Sequence, residues 1–238
     1  KNLISKEIWI GQVVHELIKH ILLQLKSGND LPLDYVLGML RKKLKLDYEQ
    51  SERKLYKGNP KQITGLLEHE YNLLVLKDKW DELFKFAEEC LINFYNSNVY
   101  NTIKSTPKEN WIFLEDLLGF NYEGTKIYLS IDFAIKKGDK IILYDWKTGK
   151  ESDQEELQLS CYALFVLNKW NLPPKNITAK VYNLKINKEK EFIINPELIE
   201  KTKSHIRKSI QEMQNLLANK ENNIANRDDF PIEEGPFC

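Results

Sequence analysis

The N-terminal part of the chain alternates apolar and polar residues with the period of an α-helix. One apolar stripe stops before Ser27-Gly28-Asn29, which predicts that a helix ends there. The same spacing predicts further helices over residues 34–46 and 77–96. Polar residues 47–65, which include Gly58-Asn59-Pro60, predict a loop or an insertion. The stripe of the first helix consists of Ile10, Val14, Leu17, Ile21 and Leu25.

The rest of the chain contains short segments rich in β-branched and aromatic residues, separated by glycine-containing breaks. Two more helices are predicted there, one over residues 152–170, where Ser152 and Glu155 fit a capping box, and one from Pro196 to about residue 219. This order of elements predicts an α/β or α+β domain with a strand-rich centre. The predicted strands cover residues 111–118, 125–136, 140–147 and 177–184, the last with a hairpin-like return to Ile194.

A predicted hairpin over residues 127–147 brings two aspartates together. Gly138-Asp139 suits a two-residue turn, because glycine tolerates the positive φ of the first turn position. With that turn, Asp132 lies directly opposite Asp145 on the next strand, with Cβ atoms about 4.5–5.5 Å apart. The first strand places Ile127, Leu129, Ile131, Phe133 and Ile135 on one face, and Ser130, Asp132 and Ala134 on the other.

Two carboxylates that face each other destabilise a sheet, so a structural role gives no reason for this pair. A divalent cation does, because Mg²⁺ and Mn²⁺ prefer oxygen ligands. Lys147 shares a face with Asp145 and is able to orient a water molecule or to stabilise developing negative charge. The alternative is that both aspartates face solvent on an edge strand with Lys147 as their ion-pair partner. Glu115 on the first strand is a further candidate for the acidic cluster, with an exposed strand carboxylate as its alternative.

The composition excludes several classes of protein. With 42% hydrophobic residues and 35 basic against 35 acidic side chains, the 238-residue chain is not expected to be disordered. It has no apolar stretch of the roughly 18 residues that a membrane span needs and no recognisable signal peptide, so we expect no membrane partner. We expect a cytoplasmic location, because an odd number of cysteines does not describe a secreted disulfide framework. Its three cysteines lack the spacing of a metal site or of a disulfide framework. Because the chain begins with Lys1 and ends with Cys238, we expect a trimmed fragment of a longer protein.

The zero net charge argues against a nucleic-acid partner, but the distribution of charge changes that conclusion. Residues 41–62 hold eight basic and three acidic residues, and residues 136–150 have a net charge of +3. A basic helical insertion ahead of the sheet is able to contact a DNA backbone, although a run of charge is more often a solvated face. The charge balance therefore does not exclude DNA.

Four motifs occur in an order that resembles one family of nucleases. Asp132, followed by Asp145-Trp-Lys-Thr-Gly149, resembles the Asp…(Asp/Glu)-x-Lys signature of the PD-(D/E)XK nuclease superfamily, in the form found in its RecB-like exonuclease branch. Gly11-x-x-x-His15 and Gln158-x-x-x-Tyr162 are similar to two further motifs of that branch. The branch includes CRISPR-associated RecB-like exonucleases and the nuclease domains of recombination helicase–nucleases.

The resemblance implies a restriction-endonuclease-like fold of the α/β class, in which helices flank a central mixed sheet and a helical insertion lies at the N-terminus. We expect one nuclease domain over residues 1–238, with a helical part to about residue 110, a sheet core and C-terminal helix over about 111–220, and a tail over 221–238. The implied function is a DNA nuclease, more specifically an exonuclease, that hydrolyses phosphodiester bonds with one or two Mg²⁺ or Mn²⁺ ions in DNA repair or recombination. DNA is the implied partner, together with a helicase or another DNA-processing protein.

The resemblance also implies roles for individual residues. Gln158 and Tyr162, which lie one helical turn apart, are expected to face the site and the DNA. Several members of the family hold an iron–sulfur cluster, and Cys238 would be its first C-terminal ligand in a full-length protein. This chain alone cannot assemble such a cluster, because one cysteine is too few. The implied metal ligands are His15, Asp132, Asp145 and the backbone carbonyl of Trp146, and Lys147 would serve the attacking water.

Other interpretations of the same residues stay open. The first is a catalytically inactive DNA-binding or assembly module on the same fold, and the second is an unrelated metal hydrolase that acts on small phosphoesters. The intact acidic pair and Lys147 favour an enzyme, because inactive members of the family usually lack them. His15 is alternatively a core histidine with satisfied hydrogen bonds, and Gln158 and Tyr162 alternatively pack their helix against the sheet.

Overall fold

Helices make up most of the first 105 residues, and a β-sheet with two more long helices makes up most of the rest. The computed structural model describes residues 3–230. Its helices are α1 (Lys6–Lys26), α2 (Leu33–Glu52), α3 (Leu67–Glu70), α4 (Lys77–Tyr95), α5 (Asn98–Ser105), α6 (Gln154–Trp170) and α7 (Pro196–Asn215). Its strands are β1 (Leu3–Ile4), β2 (Gly65–Leu66), β3 (Trp111–Tyr122), β4 (Thr125–Lys137), β5 (Lys140–Lys147), β6 (Ile177–Asn183), β7 (Lys188–Ile193), β8 (Leu217–Asn219) and β9 (Ile224–Ala225).

Strands β3 to β7 form one sheet in which the strands follow each other in chain order. β5 and β6 run parallel, whereas the other neighbouring pairs run antiparallel. α6 connects the parallel pair, because parallel strands need a crossover rather than a tight turn. The sheet is therefore mixed, and helices lie on both of its faces. This arrangement confirms the expected α/β class and the central mixed sheet flanked by helices.

Each face of the sheet is buried against a different set of helices. On one face, α1, α2, α4 and α5 pack against aromatic residues such as Tyr144 and Trp146. On the other face, α6 and α7 pack against residues such as Leu143. Trp146 is fully buried and stacks on Tyr144 with ring centroids 5.8 Å apart. β5 is thus held from both sides, and it carries Asp145 and Lys147.

The predicted helices are confirmed, with differences at their ends. α1 ends at Lys26, and α4 covers the predicted range to within one residue. α2 continues to Glu52, beyond the predicted end at residue 46, and Tyr48 in this extension packs edge-on against Trp80 of α4 with ring centroids 5.0 Å apart. This tertiary contact stabilises a helical segment that its polar sequence does not reveal. α7 ends at Asn215, and α3, α5 and the four two- and three-residue strands were not predicted.

The capping box at the start of α6 is confirmed in part. The Glu155 carboxylate accepts the backbone N–H of Ser152 at 3.3 Å, as a capping box requires. The Ser152 hydroxyl accepts the N–H of Gln154 at 3.1 Å instead of the N–H of Glu155. The helix accordingly begins at Gln154, slightly later than its sequence indicates.

None of the helices in residues 3–230 combines the length and hydrophobicity needed to cross a membrane. The division of residues 1–238 into one domain with a helical part, a sheet core and a tail stays a prediction.

The hairpin between β4 and β5 has the predicted turn and register. Gly138 has a φ of +60° at the first turn position. The pairs from Lys137–Lys140 to Phe133–Tyr144 follow the predicted alignment. One further step along this alignment places Asp132 opposite Asp145, although the ladder itself ends at Phe133–Tyr144.

The strict alternation predicted for β4 is wrong, because the strand changes faces at Asp132. Before Asp132 the apolar side chains enter the core under α6, and after it they enter the core under α1. The β3–β4 ladder omits Asp132 and also Glu115, whose φ of +52° is uncommon for a residue other than glycine. A period of two does not reveal such a change. The residues before it are Leu129 and Ile131, those after it are Phe133 and Ile135, and Ala134 shares the core of the first pair.

Candidate active site

Helix α1 places His15 beside two carboxylates of the sheet. Nδ1 of His15 lies 3.6 Å from Oδ2 of Asp132 and 3.8 Å from Oε1 of Glu115. One ligand atom from each of the three residues lies within 4.8 Å of the other two. We call His15, Glu115 and Asp132 the His–carboxylate cluster. His15 therefore lies beside carboxylates rather than within the apolar core, and its role as a metal ligand stays a prediction.

Glu115 reaches this cluster at the irregular point of β3. Its positive φ coincides with the omitted pair of the ladder, and its backbone carbonyl accepts a hydrogen bond from Nζ of Lys19 at 3.3 Å. Lys19 lies one helical turn after His15 on α1, so the same helix contacts both the side chain and the backbone of Glu115. Sequence reasoning did not single out Lys19, although its spacing from His15 was the available signal.

The turn between β3 and β4 contains the signal that identifies Glu115. Glu123-Gly124 forms a two-residue turn that pairs Tyr122 with Thr125. The same register carried along the hairpin sets Glu115 opposite Asp132. The argument that paired Asp132 with Asp145 across one turn therefore pairs Asp132 with Glu115 across the other.

Asp145 and Lys147 form a second group with two residues of α6. Nζ of Lys147 lies 2.8 Å from Oδ2 of Asp145 and donates a hydrogen bond to Oε1 of Gln158 at 2.8 Å. Nε2 of Gln158 donates to Oδ1 of Asp145 at 2.9 Å and to the hydroxyl of Tyr162 at 2.6 Å. We call Asp145, Lys147, Gln158 and Tyr162 the lysine group. Gln158 thus contacts both Asp145 and Lys147, and its role in the site stays a prediction.

A backbone hydrogen bond joins the two groups. The N–H of Trp146 donates to Oδ2 of Asp132 at 2.7 Å. Since Trp146 lies between Asp145 and Lys147 on β5, this bond fixes Asp132 relative to both residues. The β4–β5 ladder ends before Trp146, and the side-chain carboxylate of Asp132 accepts the Trp146 N–H in place of a backbone acceptor on β4.

The motif on α1 that contains Gly11 also lies against the motif at the end of β5. A Cβ atom on Gly11 of α1 would lie 3.1 Å from Oγ1 of Thr148, just beyond β5. Glycine at this position therefore lets α1 approach the end of β5 closely, and this approach brings His15 over the sheet.

The alternative in which both aspartates face solvent on an edge strand is wrong. β4 and β5 are interior strands of the sheet, and Asp132 and Asp145 are buried. The ion pair between Lys147 and Asp145 that this alternative included is present. It lies within the buried lysine group rather than on an exposed edge.

Burial of these carboxyl groups changes their proton affinity. Burial raises the pKa of Asp132 to about 7, and the charges of Asp145 and Glu115 add to the rise while His15 opposes it. Burial also raises the pKa of Asp145, against the opposing effect of Lys147. For His15, burial acts to lower the pKa, but the interactions with Glu115 and Asp132 outweigh it and the pKa is raised. The site therefore favours an additional positive charge.

The His–carboxylate cluster fits a divalent metal ion. Oε1 of Glu115 is buried and has no hydrogen-bond partner among the described residues, which leaves a carboxylate oxygen for a cation. Carboxylate oxygens are the ligands that Mg²⁺ and Mn²⁺ prefer, and His15 adds an imidazole nitrogen. Of the expected ligands, His15 and Asp132 belong to this cluster. Asp145 lies in the neighbouring lysine group.

A comparison with known families agrees with this arrangement. A family model described as the PD-(D/E)XK nuclease superfamily matches residues 3–238. The chain belongs to this superfamily. Its members are nucleases that use divalent metals such as Mg²⁺, so the chain is a phosphodiesterase by family and has a candidate metal site of the matching kind. A search among curated proteins found no match. The resemblance of the four motifs is thus confirmed for the superfamily.

Two further expectations meet different outcomes. Cys238, the expected cluster ligand, lies outside the described residues. The basic segment over residues 41–62 is partly neutralised, because five of its eight basic residues form ion pairs and two of their partners, Glu70 and Glu88, lie outside the segment. Its ion-paired residues are Arg41 with Glu88, Lys43 with Asp47, Lys45 with Glu49, and Lys54 and Lys57 with Glu70.

Proposed function

We propose that the protein is a metal-dependent DNA nuclease of the RecB-like branch and that it acts as an exonuclease. The observation that carries this proposal is the single backbone bond from Trp146 to Asp132, which joins the His–carboxylate cluster to the lysine group. The superfamily supplies the reaction class, and the four motifs in their order support the branch. The substrate is DNA, since the family implies it.

The residues of the two groups have distinct proposed roles. When bound, Mg²⁺ or Mn²⁺ supplies a Lewis acid that lowers the pKa of a water molecule and neutralises charge on a phosphate. The proposed ligands are His15, Asp132, Asp145 and the backbone carbonyl of Trp146, to which the geometry adds Glu115.

Lys147 is the proposed group that orients the attacking water. Its ammonium is fixed by Asp145 and Gln158, both at 2.8 Å, and its side chain is 28% exposed, so it is accessible from solvent. A fixed, charged donor at this place also stabilises the negative charge that develops on the phosphate. Gln158 and Tyr162 hold the carboxylate of Asp145 from α6 and are proposed to face the DNA.

Three proposals concern the protein beyond this site. They are a helicase or other DNA-processing partner, a cytoplasmic location, and an iron–sulfur cluster in a longer protein with Cys238 as a ligand. All three derive from the RecB-like resemblance and composition, and none is needed for the chemistry above.

The test is cleavage of DNA labelled at one end, in linear and in circular form, with Mg²⁺ and with EDTA. We expect the wild type to degrade linear DNA from an end in Mg²⁺, to spare circular DNA, and to be inactive in EDTA. Lys147→Ala and Asp132→Ala should abolish cleavage while both proteins stay folded by circular dichroism. Lys140→Ala, at the exposed start of β5, is the matched control and should cleave like the wild type. Equal cleavage by all four proteins would exclude this active site.

The same assay separates the alternative of an inactive DNA-binding or assembly module. That module would bind DNA and would show no cleavage in Mg²⁺ or Mn²⁺. The contacts of Lys147 with Asp145 and Gln158 argue for the enzyme, because a module without catalysis has no need for an ammonium fixed beside a buried carboxylate.

A further inference from the structure

The edge strand β7 separates its charges onto two faces. Its sequence Lys-Glu-Lys-Glu-Phe-Ile has no net charge, but alternation places successive side chains on opposite faces. Glu189 and Glu191 lie on the face away from α6, where both contact Nζ of Lys180, at 2.8 and 3.6 Å. Lys188 and Lys190 therefore lie on the face of the sheet that carries α6.

This face is also the face of the lysine group. The register across β5, β6 and β7 aligns Asp145 with Val181 and Val181 with Lys190. Two strand spacings separate the ends of this row, which is about 10 Å. The neighbouring row aligns Lys147 with Asn183 and Asn183 with Lys188 in the same way.

Helix α6 holds Lys190 at its place in the row. Glu155 lies one turn before Gln158 on α6, its side chain is 2% exposed, and its Oε2 has no hydrogen bond among the described residues. This oxygen lies 3.7 Å from Nζ of Lys190, and Glu151 contacts the same ammonium at 3.5 Å. A buried carboxylate needs a cation nearby, so Glu155 anchors Lys190 beside the site.

Lys190 retains the capacity to bind a further anion. Both of its carboxylate contacts are longer than hydrogen bonds, and an ammonium has three N–H donors. Its side chain is 46% exposed, and Lys188 is exposed as well. Phosphate groups are the anions that a nuclease substrate carries in a regular row.

We infer that Lys188 and Lys190 form a phosphate-binding track on β7, which holds the nucleic-acid strand beside the lysine group. This inference rests on the proposed function, because it assigns the track to the substrate of that site. The track takes backbone phosphates and reads no base, so it binds single strands and duplexes of any sequence.

The test measures how DNA affinity depends on salt. Fluorescence anisotropy of a labelled oligonucleotide in EDTA gives the dissociation constant from about 50 to about 200 mM salt. A plot of the logarithm of the dissociation constant against the logarithm of the salt concentration rises with a slope that depends on the number of phosphate contacts. Each lost contact makes this slope smaller by about 0.7 for a single strand and by about 0.9 for a duplex. Lys188→Gln and Lys190→Gln should each show this loss. Lys190→Arg keeps the charge and should keep the slope.

Lys180→Gln is the matched control, because it removes the same charge from the opposite face of the same strand pair. It should keep the slope of the wild type. If Lys190→Gln fails to fold because Glu155 loses its partner, Lys188→Gln decides the question. An unchanged slope in the folded Lys188 and Lys190 variants, or an equal loss in Lys180→Gln, overturns the track.

The two proposals fail in different ways. A wild type that cleaves DNA while its slope does not depend on either lysine refutes the track and leaves the nuclease. A wild type that never cleaves, but whose slope falls in both variants, refutes the nuclease and leaves the track as a binding surface.

Discussion

Replacing Asp132 by asparagine should stabilise the metal-free protein, and increasingly so as the pH rises. Asparagine keeps the shape and can still accept the N–H of Trp146 with its amide oxygen. The folded pKa of Asp132 is about 7, against an ordinary value of 3.8. A carboxyl group whose pKa is raised by folding holds its proton more tightly in the folded state, so its ionisation removes stability as the pH rises from about 4 to about 7.

The magnitude follows from the two pKa values. One unit corresponds to about 1.4 kcal/mol, so the wild type should lose about 4 kcal/mol over the whole range and about 3 kcal/mol between pH 5 and pH 8. Asp132 is 8% exposed, so solvent screening reduces this effect little. Asp132→Asn cannot ionise at this position and should not show this loss.

The assay is chemical denaturation of both proteins in EDTA at pH 5 and pH 8. The difference in unfolding free energy between variant and wild type should be larger at pH 8 by about 3 kcal/mol. Saturating Mg²⁺ should close the gap, because the ion stabilises the ionised carboxylate of the folded wild type. A gap that is equal at the two pH values, or smaller at pH 8, would refute the buried and repelled state that we assign to Asp132.

Three further predictions concern other parts of the molecule. Gln158→Leu removes the bonds to Asp145 and Lys147 and should lower kcat/KM about 10- to 100-fold, whereas the control Gln154→Leu at the exposed start of α6 should behave like the wild type in steady-state cleavage assays. Glu115→Gln should raise the Mg²⁺ concentration for half-maximal cleavage by roughly tenfold and should not lower the free energy of unfolding in EDTA. An unchanged Mg²⁺ requirement would show that Glu115 is not a metal ligand. Ser97→Ala removes the cap of α5, in which the hydroxyl accepts the N–H of Tyr100 at 2.9 Å, and should cost about 1–2 kcal/mol in urea denaturation, while Ser105→Ala should stay within about 0.5 kcal/mol.

Local patterns predicted the elements that local interactions determine. The apolar stripe from Ile10 to Leu25 identified α1, and the Gly138-Asp139 turn determined the register of β4 with β5 as far as the Phe133–Tyr144 pair. Both depend on residues close in sequence, namely on helical periodicity and on the φ of one glycine. Which side chains lie on which face of the sheet was harder to predict, because helices cover both faces and the strands therefore do not alternate strictly between apolar and polar residues.

The parts that the sequence did not reveal depend on contacts between distant segments. The change of face at Asp132 accompanies a positive φ at Glu115, a residue whose type gives no signal for that conformation. Lys19 contacts the backbone carbonyl of Glu115, 96 positions away in the chain. The division of the site into the His–carboxylate cluster and the lysine group follows from the packing of α1 and α6 on opposite faces of the sheet.

The motifs nevertheless identified residues that the fold brings into contact. Trp146 bonds to Asp132, Gln158 bonds to Asp145 and Lys147, and Gly11 approaches Thr148. Each contact links two of the four motifs, so motifs that are separate along the chain lie next to each other in the fold. The further candidate Glu115 joins them through the β3–β4 hairpin, whose register sets it opposite Asp132.

Calorimetric titration with Mn²⁺ tests the central claim most directly, because it measures the metal site without a substrate. Wild type, Asp132→Asn and Asp139→Asn are compared in the same buffer. Asp139→Asn makes the same chemical change in the exposed turn of the same hairpin. The account predicts that wild type and Asp139→Asn bind Mn²⁺ alike and that Asp132→Asn loses the site. Identical titrations for all three proteins, or no binding by the wild type, would contradict it.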